Sequence, residues 1–226
     1  MLITIDGPAK SGKSRAAELL AAELGYELLN TGAMYRAAGL KLKSSGINIE
    51  AGSKRDKLKI ADLVDSFHFE CHGHRVILNG IDFTNHIALP ANNSGNAASL
   101  VGEFREVRDK LKAEQRRIAG SRDMICEGRD QGTAVFPEAA IKFFLTASVA
   151  VRAKRQAAKE GRTDLPEIER QIEERDFRDK NRCDEYGPLD PLVKAADAIE
   201  IDTSYDSESD TMAKIREVVR QWRSKA

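Results

Sequence analysis

The stretch Gly7-Pro8-Ala9-Lys10-Ser11-Gly12-Lys13-Ser14 decides the fold. Its two glycines, its lysine and its final hydroxyl fall on the phosphate-loop pattern G-x-x-x-x-G-K-[ST]. The flanks supply the context that pattern needs, because Leu2-Ile3-Thr4-Ile5 reads as a short buried strand and residues 15–24 carry the apolar spacing of a helix. At such a turn, successive backbone N–H groups form a concave anion site, and the helix N-terminus adds a favourable dipole. The loop from Gly7 to Ser14, with Arg15 behind it, is therefore expected to cradle a nucleoside triphosphate. Lys13 is expected to reach the β- and γ-phosphates, and the Ser14 hydroxyl to ligate Mg²⁺, a cation that takes oxygen ligands.

Working outward, the rest of the chain alternates short apolar runs with helical periodicity. Gly25 is placed to cap the first helix, and residues 26–29 form a second strand ending at Asn30-Thr31-Gly32. Residues 33–45 read as a helix stopped by Gly46, and Ser53 with Asp56 as the capped start of another helix that ends near Phe67. Three short strands follow at 67–71, 75–78 and 81–83, with Asn79-Gly80 as a hairpin turn. One long helix is expected over 96–118, ended by Gly120. After it come strands at 124–126 and 141–145, helices at 149–159 and 166–182, a strand at 198–201 and a helix at 209–222. Strands alternating with helices imply an α/β fold, a parallel sheet covered by helices on both faces.

The chain's 226 residues suit one main domain with a small inserted subdomain. Lysine and arginine number 36, as do aspartate and glutamate, so no global field draws the chain to nucleic acid or an anionic membrane. Any anion binding must be local. Cys71, Cys126 and Cys183 are odd in number and far apart, which argues against a disulfide framework and suits a reducing compartment. With no basic-then-apolar leader and no run near the ~18 apolar residues of a membrane span, a cytoplasmic protein is expected. His68, His72 and His74 near Cys71 invite a metal reading, but a turn at Gly73 breaks their shared strand face and no second ligand cluster accompanies them.

In parallel sheets, ligands bind beyond the carboxyl ends of the strands. Polar residues there deserve weight: Thr31, Tyr35 and Arg36 after the second strand, and Glu127, Arg129 and Asp130 after the strand at 124–126. Glu127 is either the carboxylate that helps hold Mg²⁺ or an ordinary strand-end acid. Arg175, Arg178, Asp179 and Arg182 fall at i, i+3, i+4 and i+7, which would put three guanidiniums and a carboxylate on one helix face. Arg152 and Arg155 repeat the i, i+3 step. Such stripes suit a polyanion, because guanidinium forks match phosphate oxygens. Equally, they suit a solvated helix paired to Glu169, Glu173 and Glu174.

Taken together, these residues resemble the bacterial cytidylate kinases, over nearly the whole chain. The resemblance rests on Ile5-Asp6-Gly7-Pro8, on Asn30-Thr31-Gly32-Ala33-Met34-Tyr35-Arg36, and on Asn96-Ala97-Ala98-Ser99 leading to Val107-Arg108. It continues through Gly128-Arg129-Asp130-Gln131-Gly132-Thr133, Val135-Phe136-Pro137, Phe144-Leu145-Thr146-Ala147-Ser148 and Glu174-Arg175-Asp176-Phe177-Arg178-Asp179. It implies a phosphate-loop kinase core, a β-rich monophosphate-binding insert at about 66–95, and a short helical lid at about 152–166, mobile over 152–162. It also implies that Thr31, Arg36, Arg129 and Arg182 hold the CMP phosphate with Tyr35 packed nearby, and that Arg175 and Asp179 bind the ribose. By the same resemblance Ser99, Arg108 and Asp130 read cytosine, while Arg152, Arg155 and Arg178 join Lys13 around the transferring phosphoryl group.

The implied reaction is Mg²⁺-dependent phosphoryl transfer from ATP to CMP or dCMP, by a monomer. A kinase for another small acceptor and a nucleotide-binding regulator without turnover are the competing readings. Two positions depart from the family's usual pattern. Lys10 stands where glycine is usual, which risks strain if that position needs positive φ, and Glu127 replaces aspartate.

Overall fold

A computed structural model describes residues 1–50 and 54–224. The chain divides into two compact units. The first comprises Met1–Leu28, Ser121–Lys180 and the chain from Leu192 onward; the second comprises Leu29–Gly120 and Asn181–Pro191.

The first unit is built on a sheet whose strands are β1 (Leu2–Asp6), β2 (Glu27–Asn30), β6 (Met124–Gly128), β7 (Ile141–Thr146) and β10 (Ile199–Asp202), in the order β10-β7-β1-β6-β2. β1 is the middle strand, parallel to both β6 and β7, and β10 is parallel to β7. Ile3, Ile5, Ile125, Phe143 and Leu145 are fully or almost fully buried, as strands covered on both faces require. Helices α1 (Lys13–Leu24) and α9 (Glu208–Arg223) bring Ala16, Ala17, Leu20, Met212 and Ile215 into the same core. Local chemistry sets the ends of these helices. Gly25 caps α1 in the left-handed conformation at φ 69°, as expected, and Ser207 and Asp210 form a reciprocal capping box at the start of α9. Helices α7 (Val149–Glu160) and α8 (Leu165–Asn181) pack Ala153, Ala157, Ile168 and Ile172 together. β2 ends in the second unit.

The second unit opens with α2 (Thr31–Ser44), whose N-terminus is capped by the Asn30 side chain accepting from Ala33 N at 2.9 Å. Helix α3 (Lys54–Asp65) follows; the expected cap at Ser53 lies outside the described residues. An antiparallel meander then runs through β3 (Phe69–His72), β4 (Arg75–Leu78) and β5 (Ile81–Asp82), close to the strands read from sequence. Phe67 and Phe69 pack edge to face beneath it, with ring centroids 6.1 Å apart. After α4 (Thr84–Ala88) the chain forms α5 (Ser94–Val101) and α6 (Arg105–Ala119), and a short hairpin of β8 (Cys183–Asp184) and β9 (Gly187–Pro188) completes the unit.

Three expectations are corrected. The single helix over 96–118 is two helices, because the chain tightens at Gly102 and Glu103 and Phe104 turns extended to bury its ring. Gly39 of α2 explains why α5 lies so close to it, since a Cβ there would stand 2.9 Å from the Ala97 methyl carbon. Glu127 lies inside β6, not beyond it. Finally, α8 stops at Asn181, so Arg182 is not on the helical face of Arg175, Arg178 and Asp179. Its carbonyl instead accepts from Leu189 N at 2.9 Å, closing the β8–β9 hairpin.

Candidate active site

The phosphate loop sits in the first unit between β1 and α1. Gly7 has φ 147°, and a Cβ there would stand 2.0 Å from the Leu145 carbonyl oxygen, so no larger residue fits. Lys10 adopts φ 62°, the left-handed conformation that its departure from glycine put at risk, and keeps it as a strained non-glycine residue.

Four successive carbonyls of the loop are gripped by donors. Lys13 Nζ donates to Pro8 O at 3.0 Å, Arg152 Nη1 to Ala9 O at 3.4 Å, Arg155 Nη1 to Lys10 O at 3.3 Å, and Thr203 Oγ1 to Ser11 O at 3.0 Å. Arg152 is buried, with Nε on Ala147 O at 2.9 Å and Nη2 on the Asp176 carboxylate at 2.6 Å. With its carbonyls engaged in this way, the loop is left to offer amide N–H groups, the geometry an anion requires.

Beside the loop, Ser14 Oγ donates to Glu127 Oε1 at 3.1 Å. A hydroxyl and a buried carboxylate this close are hard oxygen donors of the kind Mg²⁺ takes, so the residues present fit that ion. Arg129 Nε donates to Asp179 Oδ2 at 3.0 Å, and Arg175 Nε lies 4.0 Å from the same oxygen, so one buried carboxylate draws two guanidiniums together. Arg178 is half-buried on the same helix, and Arg15 pairs outward with Glu208 at 2.9 Å.

The electrostatics are tense. Burial, reinforced by the Arg129 charge, pulls the Lys13 ammonium down to about 7, although Glu127 and Asp6 oppose this. Asp6, at the end of β1, is pushed up to about 7, chiefly by burial, while N–H donation from Gly132 and Gln131 works the other way. Its two oxygens accept from Gln131 N at 2.9 Å and Gly132 N at 2.7 Å, which fixes the turn that follows the buried Asp130.

The remaining expected residues belong to the second unit. Thr31 is buried at the start of α2, with Tyr35 and Arg36 half-buried one turn on. Ser99 is buried on α5. Arg108, on α6, is fully buried, its guanidinium carbon 5.7 Å from the centre of the Tyr35 ring. Arg182 belongs to this unit too, its guanidinium close to Gly102.

A family model described as cytidylate kinase matches residues 3–221. The chain belongs to the cytidylate kinase family. The cytidylate kinase of Fervidobacterium nodosum is 42% identical over 223 residues, covering 97% of this chain and 96% of that one. The cytidylate kinase of Lactobacillus gasseri is 40% identical over 229 residues, covering 98% and 94%. The chain is also similar to a solved gluconokinase from Sinorhizobium meliloti 1021, at 14% identity and a TM-score of 0.46, covering 99% of this chain and 96% of that one. Membership of the cytidylate kinase family makes this chain a phosphate-loop nucleotide kinase. Among the described residues no helix is long and apolar enough to cross a membrane.

For this member of the cytidylate kinase family, sequence reasoning passed over Asp6, Thr203 and Asp176. Asp6 carried a signal, an acid ending an otherwise apolar strand. Asp176 stood within one of the stretches that carry the resemblance, with no role given to it, and Thr203 carried no signal, since it matters only through a partner distant in the chain.

Proposed function

We propose that this protein transfers the γ-phosphoryl group of ATP to CMP or dCMP, giving the diphosphate and ADP by in-line attack, with no covalent enzyme intermediate. The observation that carries the reading is the phosphate loop of a cytidylate kinase family member, its carbonyls clamped by Arg152, Arg155 and Thr203 so that its amides serve the triphosphate. The attacking atom is a phosphate oxygen of the acceptor, largely deprotonated at neutral pH, so no general base is required. Positioning and charge stabilisation do the work.

Lys13 neutralises the β- and γ-phosphates, and Arg152, Arg155 and Arg178 surround the group in transfer. Of these, Arg155 and Arg178 are part-buried, whereas Arg152 is buried; Arg152 and Arg155 both also grip the carbonyls of the loop. Mg²⁺, held by the Ser14 hydroxyl and the Glu127 carboxylate, would supply further neutralisation at the phosphate oxygens. Thr31, Arg36, Arg129 and Arg182 hold the acceptor phosphate, Tyr35 packs beside it, and Arg175 and Asp179 take the ribose. Residues 152–162, from within α7 to the Gly161 turn, act as a lid that excludes water.

Cytosine offers an N4 amino donor beside the N3 and O2 acceptors. A carboxylate on Asp130, a guanidinium on Arg108 and a hydroxyl on Ser99 complement that set, whereas uracil sets an oxygen against the carboxylate and a donor against the guanidinium. The test is ADP release with CMP, dCMP, UMP, AMP and GMP, in the wild type and in Asp130→Ala and Arg108→Ala. The expected result is preference for the cytidine nucleotides, eroded in both variants while the KM for ATP is little changed. Equal use of all acceptors by the wild type would overturn the assignment.

A further inference from the structure

Within the second unit, two of the arginines assigned above to CMP converge on one residue that no motif marks. Asp190 has φ 42°, a left-handed backbone that aspartate tolerates better than most residues. That conformation lets it act twice. Its carboxylate oxygen Oδ2 accepts from Arg108 Nε at 3.2 Å and from Lys112 Nζ at 2.8 Å, while its carbonyl accepts from Arg182 Nη2 at 3.0 Å and Arg108 Nη2 at 3.5 Å.

The physical need is plain. Arg108 and Lys112 are one turn apart on α6, like charges that repel at that spacing, and the Arg108 side chain is only 1% exposed. A guanidinium so deeply buried requires an opposite charge, and a carboxylate that supplies one also fixes its fork. Arg182, just beyond the end of α8, gains a fixed direction from a backbone carbonyl eight residues away. The buried Leu189 anchors the strap that carries both contacts.

We propose that Asp190 is a positioning residue that pre-sets Arg108 for the cytosine base and Arg182 for the acceptor phosphate. The proposal rests on the reading that these two arginines hold CMP. Asp190 itself need not touch the nucleotide: by ordering two long side chains in advance, it removes part of the entropy that binding would otherwise cost.

The test separates side chain from backbone. Asp190→Gly keeps the left-handed conformation and the carbonyl but deletes the carboxylate; Asp190→Asn keeps an oxygen acceptor and tolerates the same backbone. In Asp190→Gly the KM for CMP should rise about tenfold and the CMP-over-UMP preference should fall, with kcat at saturating CMP and the KM for ATP within about twofold of wild type. Asp190→Asn should recover much of the loss. Parallel measurements on Arg108→Ala and Arg182→Ala tell the two levels apart. If both leave the KM for CMP unchanged, the CMP reading fails and Asp190 falls with it. If they raise that KM while Asp190→Gly does not, the Asp190 proposal alone is overturned. A rise in both KM values together with falls in kcat and Tm in Asp190→Gly, without rescue by Asp190→Asn, would show a merely structural role and overturn it as well.

Discussion

Binding of a triphosphate to the phosphate loop should draw a proton from solution. Lys13 is held at about 7 by burial and by Arg129. At pH 8, one unit higher, only roughly a tenth of the molecules carry the ammonium. A polyanion against Nζ favours the charged form strongly, so the bound state should be almost fully protonated. The expected uptake from Lys13 alone is therefore roughly 0.9 proton per nucleotide at pH 8, roughly 0.5 at pH 7 and roughly 0.1 at pH 6. Calorimetric titration with a non-hydrolysable ATP analogue, in buffers of different ionisation enthalpy, measures this directly, and pH 8 keeps the analogue's own phosphates ionised. Asp6 is also raised to about 7 and would contribute in the same sense, so the titration is repeated on Asp6→Asn. Removing that acid deletes its share and pulls Lys13 lower, so substantial uptake at pH 8 should persist. An uptake below ~0.2 in both proteins, with binding confirmed, would refute the account of Lys13. The same values carry a sign for stability. Because the folded value of Lys13 lies below its unfolded one, the unfolded chain binds the extra proton between about 7 and 10.5, and stability from this group is lost as pH falls through that window.

Further outcomes follow from packing and strain. Asp176→Ala strips the buried Arg152 of its 2.6 Å partner and should cost about 3–5 kcal/mol, read as a fall in Tm and in denaturant midpoint. Gly39→Ala forces α2 away from Ala97 and should cost about 1–3 kcal/mol in the same assays, although it lies outside the phosphate loop. At Lys10, Gly should be accepted with little change in Tm, whereas Val, which resists φ 62°, should destabilise by about 1–2 kcal/mol. Amide exchange across residues 152–162 should slow when a bisubstrate analogue is added, and unchanged exchange with binding confirmed would contradict the lid reading.

The fold was largely legible in the chain because its signals are local. The loop glycines, the Gly25 cap, the Asn79-Gly80 turn and the alternation of apolar runs with helical spacing each depend on neighbours in sequence. Errors arose where a distant partner decided. Residues 96–118 keep helical spacing on either side of Gly102, and that glycine together with the burial of Phe104 breaks them in two. The i, i+7 step to Arg182 looked helical until the hairpin with Leu189 claimed that residue. Two-residue strands such as β8 and β9 are too short to leave a period. Within the site, the Gly-Lys-Ser end of the loop announced itself, but Thr203 and Asp190 are ordinary residues until the fold brings their partners to them.

The clamp on the phosphate loop has a consequence for how the chain is made. The loop is made before the groups that hold its carbonyls, which lie far downstream. Thr203 grips Ser11 across 192 residues, and Arg155 and Arg152 grip Lys10 and Ala9 across 145 and 143. A growing chain thus carries the whole nucleotide-binding motif without the braces that shape it until those later segments have been made. Capture of triphosphate should begin only once Thr203 has been made and has folded against the loop, and a chain stopped before Thr203 should carry the motif and still fail to hold the nucleotide.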